Sequence, residues 1–170
     1  FFRIQETDIT LLHSLQNNRK ALYMNFSKRS RYGIRALIDL AEHTDSPCAL
    51  CEIAERNNIS IKYLEQIFSV LKKAGIIKSI KGPQGGYFLA GNPEYIRISD
   101  IIVTLDGSYF LDDERLAPGQ KGEAEALAVQ ETVIDPINEE VHRILDQLTL
   151  KKLTEHAEQT NQAAQSMYYI

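Results

Sequence analysis

The stretch from residue 53 to residue 90 constrains the fold more than any other part of the chain. Two runs of apolar residues at helical spacing are separated there by Asn57-Asn58, and Ser60 precedes the second run. Asparagine tolerates the left-handed backbone that a tight helix corner needs, and serine is a favoured N-cap. The pattern predicts a short helix, a sharp turn and a longer helix.

A glycine-rich hairpin is predicted directly after these helices. Gly75 is placed to end the longer helix, and the apolar runs 76–80 and 87–89 flank the loop 82–86, which reads GPQGG. Two helices followed by such a hairpin are typical of a winged helix-turn-helix, which inserts one helix into the DNA major groove. The sequence therefore predicts a mainly α fold with a small β-hairpin wing.

Charge is divided unevenly along the chain. The net charge is −4, but residues 24–91 carry ten Lys or Arg against six Asp or Glu, which is +4, and residues 92–170 carry six against fifteen, which is −9. A basic first half suits contact with a polyanion. The alternative to such a functional division is that surface charge simply varies along the chain. No apolar stretch approaches the ~20 residues of a membrane span.

The exposed residues of the longer helix and of the hairpin suit base edges and phosphates. Gln66 could read adenine, Glu65 could accept from cytosine N4, and Lys62 could reach guanine or a phosphate. Lys28 and Arg31, at the start of an earlier helix, could add phosphate contacts. The predicted DNA-binding residues are Lys28, Arg31, Ser60, Lys62, Tyr63, Glu65, Gln66, Lys81, Gln84, Gly85 and Gly86.

Other segments divide the chain into predicted regions. Residues 1–23 form an N-terminal extension of unknown role, and residues 24–91 form the winged helix-turn-helix. The first helix of that domain is predicted to run from Lys28 to about His43, with Ser27 as N-cap. Residues 92–122 hold a connecting helix, capped by Ser99 and ending near Gly107, and an acidic loop. Dimerisation helices are expected over 123–160, of which the last runs from about 150 to 158, and a polar tail over 161–170.

A coiled-coil pattern is predicted in the second half of the chain. Apolar residues there are spaced 7, 3, 4, 3 and 4 apart, which is the a/d spacing that packs against a partner helix. Pro136 lies inside the run, so either the helix kinks there or Asp135-Pro136 starts a new one. The predicted dimerisation residues are Leu127, Ile134, Ile137, Val141, Ile144 and Leu148.

Cys48 and Cys51 form a C-x-x-C motif without a second motif to complete a zinc site. Ordinary small residues at a helix start are one interpretation, and a thiol switch beside the DNA-binding helices is the other. Two cysteines in one short segment favour a reducing cytoplasm. No catalytic constellation is visible, and we predict neither an enzyme nor a metal site.

Three motifs together resemble the Rrf-type bacterial regulators, the IscR/NsrR/CymR family. They are Arg31-Tyr32-Gly33, Tyr63-Leu64-Glu65-Gln66 and the wing sequence 81–87. The resemblance covers about residues 24–170 and implies a winged-helix homodimer on double-stranded DNA with a pseudo-palindromic operator. Many relatives have arginine where this chain has Lys81, and arginine alone offers a planar bidentate fork.

The resemblance also bears on cofactor and partner. Cluster-binding members carry three cysteines between the fourth helix and the dimer helix, whereas residues 107–125 contain none, so we expect no iron–sulfur cluster and no other cofactor. The chain is most similar to the repressors of cysteine metabolism, which are controlled by cysteine synthase. The ending Tyr168-Tyr169-Ile170 is the expected partner-binding tail, since Ile170 with its free carboxylate is a compact anchor for an amino-acid pocket.

Two alternatives stay open at this point. One is a thiol-redox or metal-responsive regulator that acts through Cys48 and Cys51. The other is a winged-helix protein-interaction module that does not bind DNA.

Overall fold

The computed structural model describes residues 26–167 of the chain. The expected mainly α architecture with one two-stranded antiparallel sheet is confirmed, and none of the described helices is long and apolar enough to cross a bilayer. The elements in chain order are α1 (Lys28–Glu42), α2 (Leu50–Asn57), α3 (Ile61–Lys73), β1 (Ile77–Ile80), β2 (Gly86–Leu89), a 3-10 turn (Pro93–Tyr95), α4 (Ile98–Asp106), α5 (Glu123–Val129), a π turn (Gln130–Ile134), α6 (Asp135–Gln147) and α7 (Leu150–Met167).

One hydrophobic core joins the winged helix to the C-terminal helices. Side chains of α1, α3 and α4 fill its centre, including Leu37, Phe68 and Ile101, each with no exposed surface. Leu145 at the end of α6 and Leu150 at the start of α7 belong to the same cluster. The two halves that differ in charge are therefore one packed body.

A glycine explains part of the Arg31-Tyr32-Gly33 motif. A Cβ atom on Gly33 would lie 2.4 Å from Cδ1 of Leu105, so the Leu105 side chain of α4 occupies the space that a side chain at this position of α1 would need. Gly33 is buried on the face that α1 presents to α4. This part of the motif therefore supports packing.

The predicted helix starts are confirmed for α1 and α3 but not for α4. Ser27 caps α1 by accepting from the Ser30 N–H, and Ser60 caps α3. Ser99 is wrong as a cap, because it is buried inside α4, which begins at Ile98 with Arg97 as its N-cap, two residues earlier than predicted. The Ile98 N–H donates to the Leu148 carbonyl at 2.9 Å, so tertiary contact fixes the start of this helix.

The last helix is longer than the sequence indicated. We expected it to end near 158 and a tail to begin at 161, whereas α7 continues to Met167. Its first turns pack against α1, with Leu150 and Thr154 buried. Beyond them the helix continues through Ala, Glu and Gln, which are good helix formers and need no buried face.

Candidate nucleic-acid interface

The packing of α3 decides which of its residues face solvent. Leu64, Ile67, Phe68 and Leu71 are each fully buried, and they orient the helix on the core. On the opposite side of the helix Lys62, Glu65 and Gln66 are exposed, as predicted. The first two turns of α3 therefore present one basic, one acidic and one amide side chain outward, together with the half-exposed Ile61.

Tyr63 does not share that exposure. It is half-buried, and its ring meets Tyr32 of α1 edge-on with the centroids 6.0 Å apart. The Arg35 guanidinium lies over the Tyr32 ring at 5.6 Å. Tyr63 thus helps to pack α3 against α1, and only its exposed part is available to a ligand. Ser60 is exposed, but its hydroxyl accepts from the Tyr63 N–H at 3.4 Å.

A buried carboxylate fixes the angle between the first two helices. Asp39 of α1 accepts from Arg56 Nε at 2.9 Å and from Arg56 Nη2 at 2.6 Å, and it also accepts from Asn57 Nδ2 at 3.0 Å. The hydrogen bond with Asp39 raises the pKa of the Arg56 guanidinium. Arg35 donates to the Asn57 carbonyl, and Asn58 then turns the chain with φ 51°.

Sequence reasoning missed this network. It identified Asn57 and Asn58 as the turn but assigned no role to Asp39 or Arg56. One signal was available, because Asp39 stands beside the buried apolar positions Leu37 and Leu40 of α1. A carboxylate there requires a partner.

The predicted wing is confirmed as a hairpin in which Ile77 pairs with Leu89 and Ile80 pairs with Gly86. Lys81 and Gln84 are exposed at its tip. Lys72 of α3 donates to the Ser79 hydroxyl at 2.6 Å, which ties the base of the wing to α3. This contact uses one N–H of the Lys72 ammonium group, whereas the Lys81 ammonium group forms no ion pair or hydrogen bond within residues 26–167.

Two wing glycines have structural reasons to be glycine. A Cβ on Gly85 would lie 2.3 Å from the Ile80 carbonyl oxygen, and one on Gly86 would lie 2.5 Å from the Cys48 carbonyl oxygen. Cys48 exchanges backbone hydrogen bonds of 2.9 and 2.8 Å with Tyr87, the neighbour of Gly86. Both glycines therefore shape the wing.

The start of α1 adds two exposed basic residues, Lys28 and Arg31. Its N-cap is held from outside the winged helix, since Asp106 at the end of α4 accepts from the Ser27 hydroxyl at 2.5 Å and from its N–H at 3.2 Å. The position of this basic turn therefore depends on α4.

The two cysteines have different surroundings. Cys48 is buried on the bridge to Tyr87, and Cys51 is exposed in the first turn of α2, both as free thiols. Burial raises the pKa of the Cys48 thiol, even though Arg56 acts in the opposite direction. The neutral thiol is therefore favoured at Cys48.

The acidic loop between α4 and α5 offers no cluster ligands. Its backbone is held by amide side chains of the helices, since the Leu111 N–H donates to Asn138 Oδ1 at 2.8 Å and the Glu114 N–H donates to Gln130 Oε1 at 2.7 Å. Among the described residues no three His, Cys, Asp or Glu side chains are grouped to hold a metal ion. This donor set does not fit a thiolate-bound cluster.

The predicted a/d residues separate into two groups. Leu127, Ile137 and Ile144 are exposed by 41%, 41% and 46%, whereas Ile134 is half-buried and Val141 packs on the core. Leu148 was wrongly placed in the helix. The main chain turns to an extended conformation at Leu148, and its carbonyl binds α4.

An exposed apolar stripe on these helices shares Ile137 and Ile144 with the predicted set. The π turn at 130–134 adds a residue to one helical turn and so shifts the register, while Asp135-Pro136 continues the helix into α6. The exposed residues Val129, Val133, Ile137 and Ile144 are now spaced 4, 4 and 7 apart, and we call them the apolar ridge. The N-terminal extension and the tail residues Tyr168, Tyr169 and Ile170 lie outside the described residues.

Comparisons with known proteins agree with this geometry. The family model Rrf2, described as an iron-dependent transcriptional regulator, matches residues 26–156. The transcriptional regulator CymR of Bacillus subtilis is 38% identical over 148 residues, which are 86% of this chain and 100% of that protein. Its solved structure, titled as the global cysteine regulator, has a TM-score of 0.64 at 37% identity over 76% of this chain and 95% of that one.

Two further solved structures are similar. IscR of T. potens has a TM-score of 0.65 at 38% identity and covers 84% of this chain and 95% of its own. The oxidized form of Staphylococcus aureus CymR has a TM-score of 0.58 at 33% identity, and the match covers 77% of this chain and 96% of that one. These relatives are transcriptional regulators and not enzymes. The chain therefore belongs to the Rrf2 family of DNA-binding, winged-helix transcriptional regulators.

Proposed function

We propose that this protein is a dimeric repressor of cysteine or sulfur-metabolism genes that works without an iron–sulfur cluster. The observation that carries the proposal is the loop between α4 and α5. It lacks cysteine, and Gln130 and Asn138 already bind its backbone. The similarity to CymR, a global cysteine regulator in B. subtilis, supports the class of genes.

DNA contact would use the surface formed by α3, the wing tip and the start of α1. Lys62, Glu65 and Gln66 are exposed where a recognition helix meets base edges, so we assign them to base readout. Lys81 and Gln84 would contact the neighbouring groove or its phosphates. Lys28, Arg31 and Ser60 would bind phosphates, which position the protein without reading sequence, while Tyr63, Gly85 and Gly86 shape the surface.

Dimerisation would use the apolar ridge. Four large aliphatic side chains, each more than two-fifths exposed, are costly to leave in water and suit a second copy of the same helix. A twofold pair of recognition helices would then face a pseudo-palindromic operator.

The DNA-binding proposal is tested by the salt dependence of operator affinity. Mapping of bound sites in the source organism supplies the operator, and fluorescence anisotropy measures its Kd from about 50 to 200 mM salt. Affinity should fall steeply, and Lys62→Ala or Lys81→Ala should each reduce the log–log slope by about 1 if its ammonium group binds a phosphate. Lys121→Ala, in the acidic loop, is the matched control.

Two results would contradict this assignment. A flat salt response of the wild-type protein would favour a protein-interaction module. Unchanged slopes and affinities for both lysine variants would show that DNA binds elsewhere.

A bound-site map without sulfur-metabolism genes would refute the proposed regulon and leave DNA binding intact.

The proposed partner is cysteine synthase, bound through Tyr168, Tyr169 and Ile170. Support comes from the family resemblance and from the apolar, aromatic composition of this segment. Deletion of Tyr169 and Ile170 should abolish capture of purified cysteine synthase in a pull-down, and replacement of Gln165 by alanine should not. Equal capture by the truncated protein would exclude the tail as the binding element.

A thiol-responsive regulator is the second candidate. This candidate uses both cysteines, since Cys51 is exposed to an oxidant and a change at the buried Cys48 would disturb its backbone bridge to Tyr87. A relative has been crystallised in an oxidized form. Operator affinity measured with and without peroxide tests this candidate. Loss of affinity in the wild type but not in Cys48→Ser or in Cys51→Ser supports it, and equal affinity of the wild-type protein in both conditions rules it out.

A further inference from the structure

Ile61 is an exposed apolar residue at the first position of α3. Its side chain is 48% exposed, whereas Leu64, Ile67 and Phe68 of the same helix have no exposed surface. Solvation of a large aliphatic side chain is unfavourable, and Ile61 contributes little to the core in return. The exposed half of this side chain is available to a ligand.

The position of Ile61 on α3 places this residue on the part of the helix that is proposed to face DNA. Ile61 follows the N-cap Ser60, in the turn of a recognition helix that meets base edges. It also stands four residues before Glu65, and side chains at that spacing are neighbours on a helix surface. Glu65 is the residue assigned above to the N4 amino group of cytosine.

The chemistry of the major groove then selects the ligand. The C5-methyl group of thymine is the apolar feature that base edges present there, and aliphatic side chains contact it. We propose that Ile61 is a further specificity-determining residue, which reads the methyl group of a thymine next to the cytosine contacted by Glu65. The inference rests on the placement of α3 in the major groove proposed above.

The experiment removes the methyl group and nothing else. Each thymine of one operator half-site is replaced in turn by deoxyuridine, and Kd is measured by anisotropy for the full-length protein. At one position the wild type should lose about fourfold in affinity, the effect of one buried methyl-sized group. Ile61→Ala should bind the thymine operator more weakly and show no further loss with deoxyuridine at that position.

Two variants act as controls. Ile61→Val keeps a branched aliphatic side chain and should keep the sensitivity to deoxyuridine. Lys62→Ala should weaken binding to both duplexes by the same factor, because its contact does not involve the methyl group. Thermal unfolding of each variant confirms that the fold is retained, as expected at a half-exposed position.

The outcomes separate this inference from the proposed function. If Ile61→Ala keeps the wild-type ratio between thymine and deoxyuridine duplexes at every position, Ile61 does not read a methyl group and the inference is overturned while DNA binding stands. If the wild-type protein binds no mapped site, the proposed function fails and the inference with it.

Discussion

Asp39 holds together the part of the molecule that aims the recognition helix. It is 7% exposed and accepts three hydrogen bonds from Arg56 and Asn57, the last two residues of α2. Because α2 leads directly into the turn before α3, this carboxylate fixes the direction in which α3 leaves the core. Removal of this buried carboxylate would leave the three N–H groups that donate to it without their acceptor.

We therefore expect Asp39→Ala to lower the free energy of unfolding by about 2 kcal/mol, since the Arg56 guanidinium and the Asn57 amide lose their shared acceptor. Urea unfolding at neutral pH, followed by circular dichroism, measures this change. Glu55→Ala, at an exposed position on α2, should stay within about 0.5 kcal/mol of the wild type. Equal stability of Asp39→Ala and Glu55→Ala would contradict the role given to the network.

At the scale of elements, the wing is a hairpin attached at two places. Lys72 binds Ser79 on one side, and Cys48 pairs with Tyr87 on the other. The second attachment is an isolated antiparallel bridge, through which the segment before α2 pairs with β2 at a single residue. It requires glycine at position 86, where the Cys48 carbonyl oxygen occupies the space of a side chain.

Gly86→Ala should accordingly destabilise the protein by about 1–3 kcal/mol, because the added methyl group forces the Cys48 segment and the wing apart. Thermal and urea unfolding give the stability, and operator affinity should fall with it. Gly91→Ala is the matched control, since no atom lies within 4 Å of the added Cβ, and it should be neutral or slightly stabilising. A neutral result for Gly86→Ala would show that the bridge to Cys48 is not needed.

For the whole molecule, the relation between the two halves matters most. The basic winged helix and the acidic C-terminal part share one core, since α4 and α7 both pack on α1 and Asp106 caps α1 through Ser27. A structural change at the apolar ridge or along α7 can therefore be transmitted to the DNA-binding surface through packed side chains. The ridge itself has no partner within the described chain, which is why we assign it to the second subunit.

Ile137→Asp should convert the proposed dimer to a monomer, because a dimer interface would bury an unpaired carboxylate. The penalty of several kcal/mol corresponds to a rise in the dimer dissociation constant on the order of 100-fold or more. Light scattering after size-exclusion chromatography measures the mass, and operator affinity should fall as well. Tyr95→Asp, which changes an exposed aromatic residue far along the chain from the ridge, should leave the mass unchanged. A wild-type monomer would contradict the proposal.

Local signals explain most of what sequence analysis predicted correctly. Ser27, Ser60 and Asn58 act through their own backbone and the next turn, so their residue types were sufficient to place the ends of α1, α2 and α3. The start of α4 was predicted wrongly because it depends on a hydrogen bond from Ile98 to the distant Leu148. The a/d pattern failed at Leu148 for the same reason, since the helix ends at Gln147 and the Leu148 carbonyl accepts from the distant Ile98 N–H.

The sequence by itself determined the winged helix-turn-helix and the exposed face of α3, because helix caps, helical period and glycine turns are local properties of the chain. Only the tertiary structure decided what Asp39, Gly86 and Tyr63 do, since their partners Arg56, Cys48 and Tyr32 lie 17, 38 and 31 residues away. It also decided which apolar residues of α5 and α6 remain exposed. Burial is a property of the packed molecule, and the same apolar period serves a core and an interface equally well.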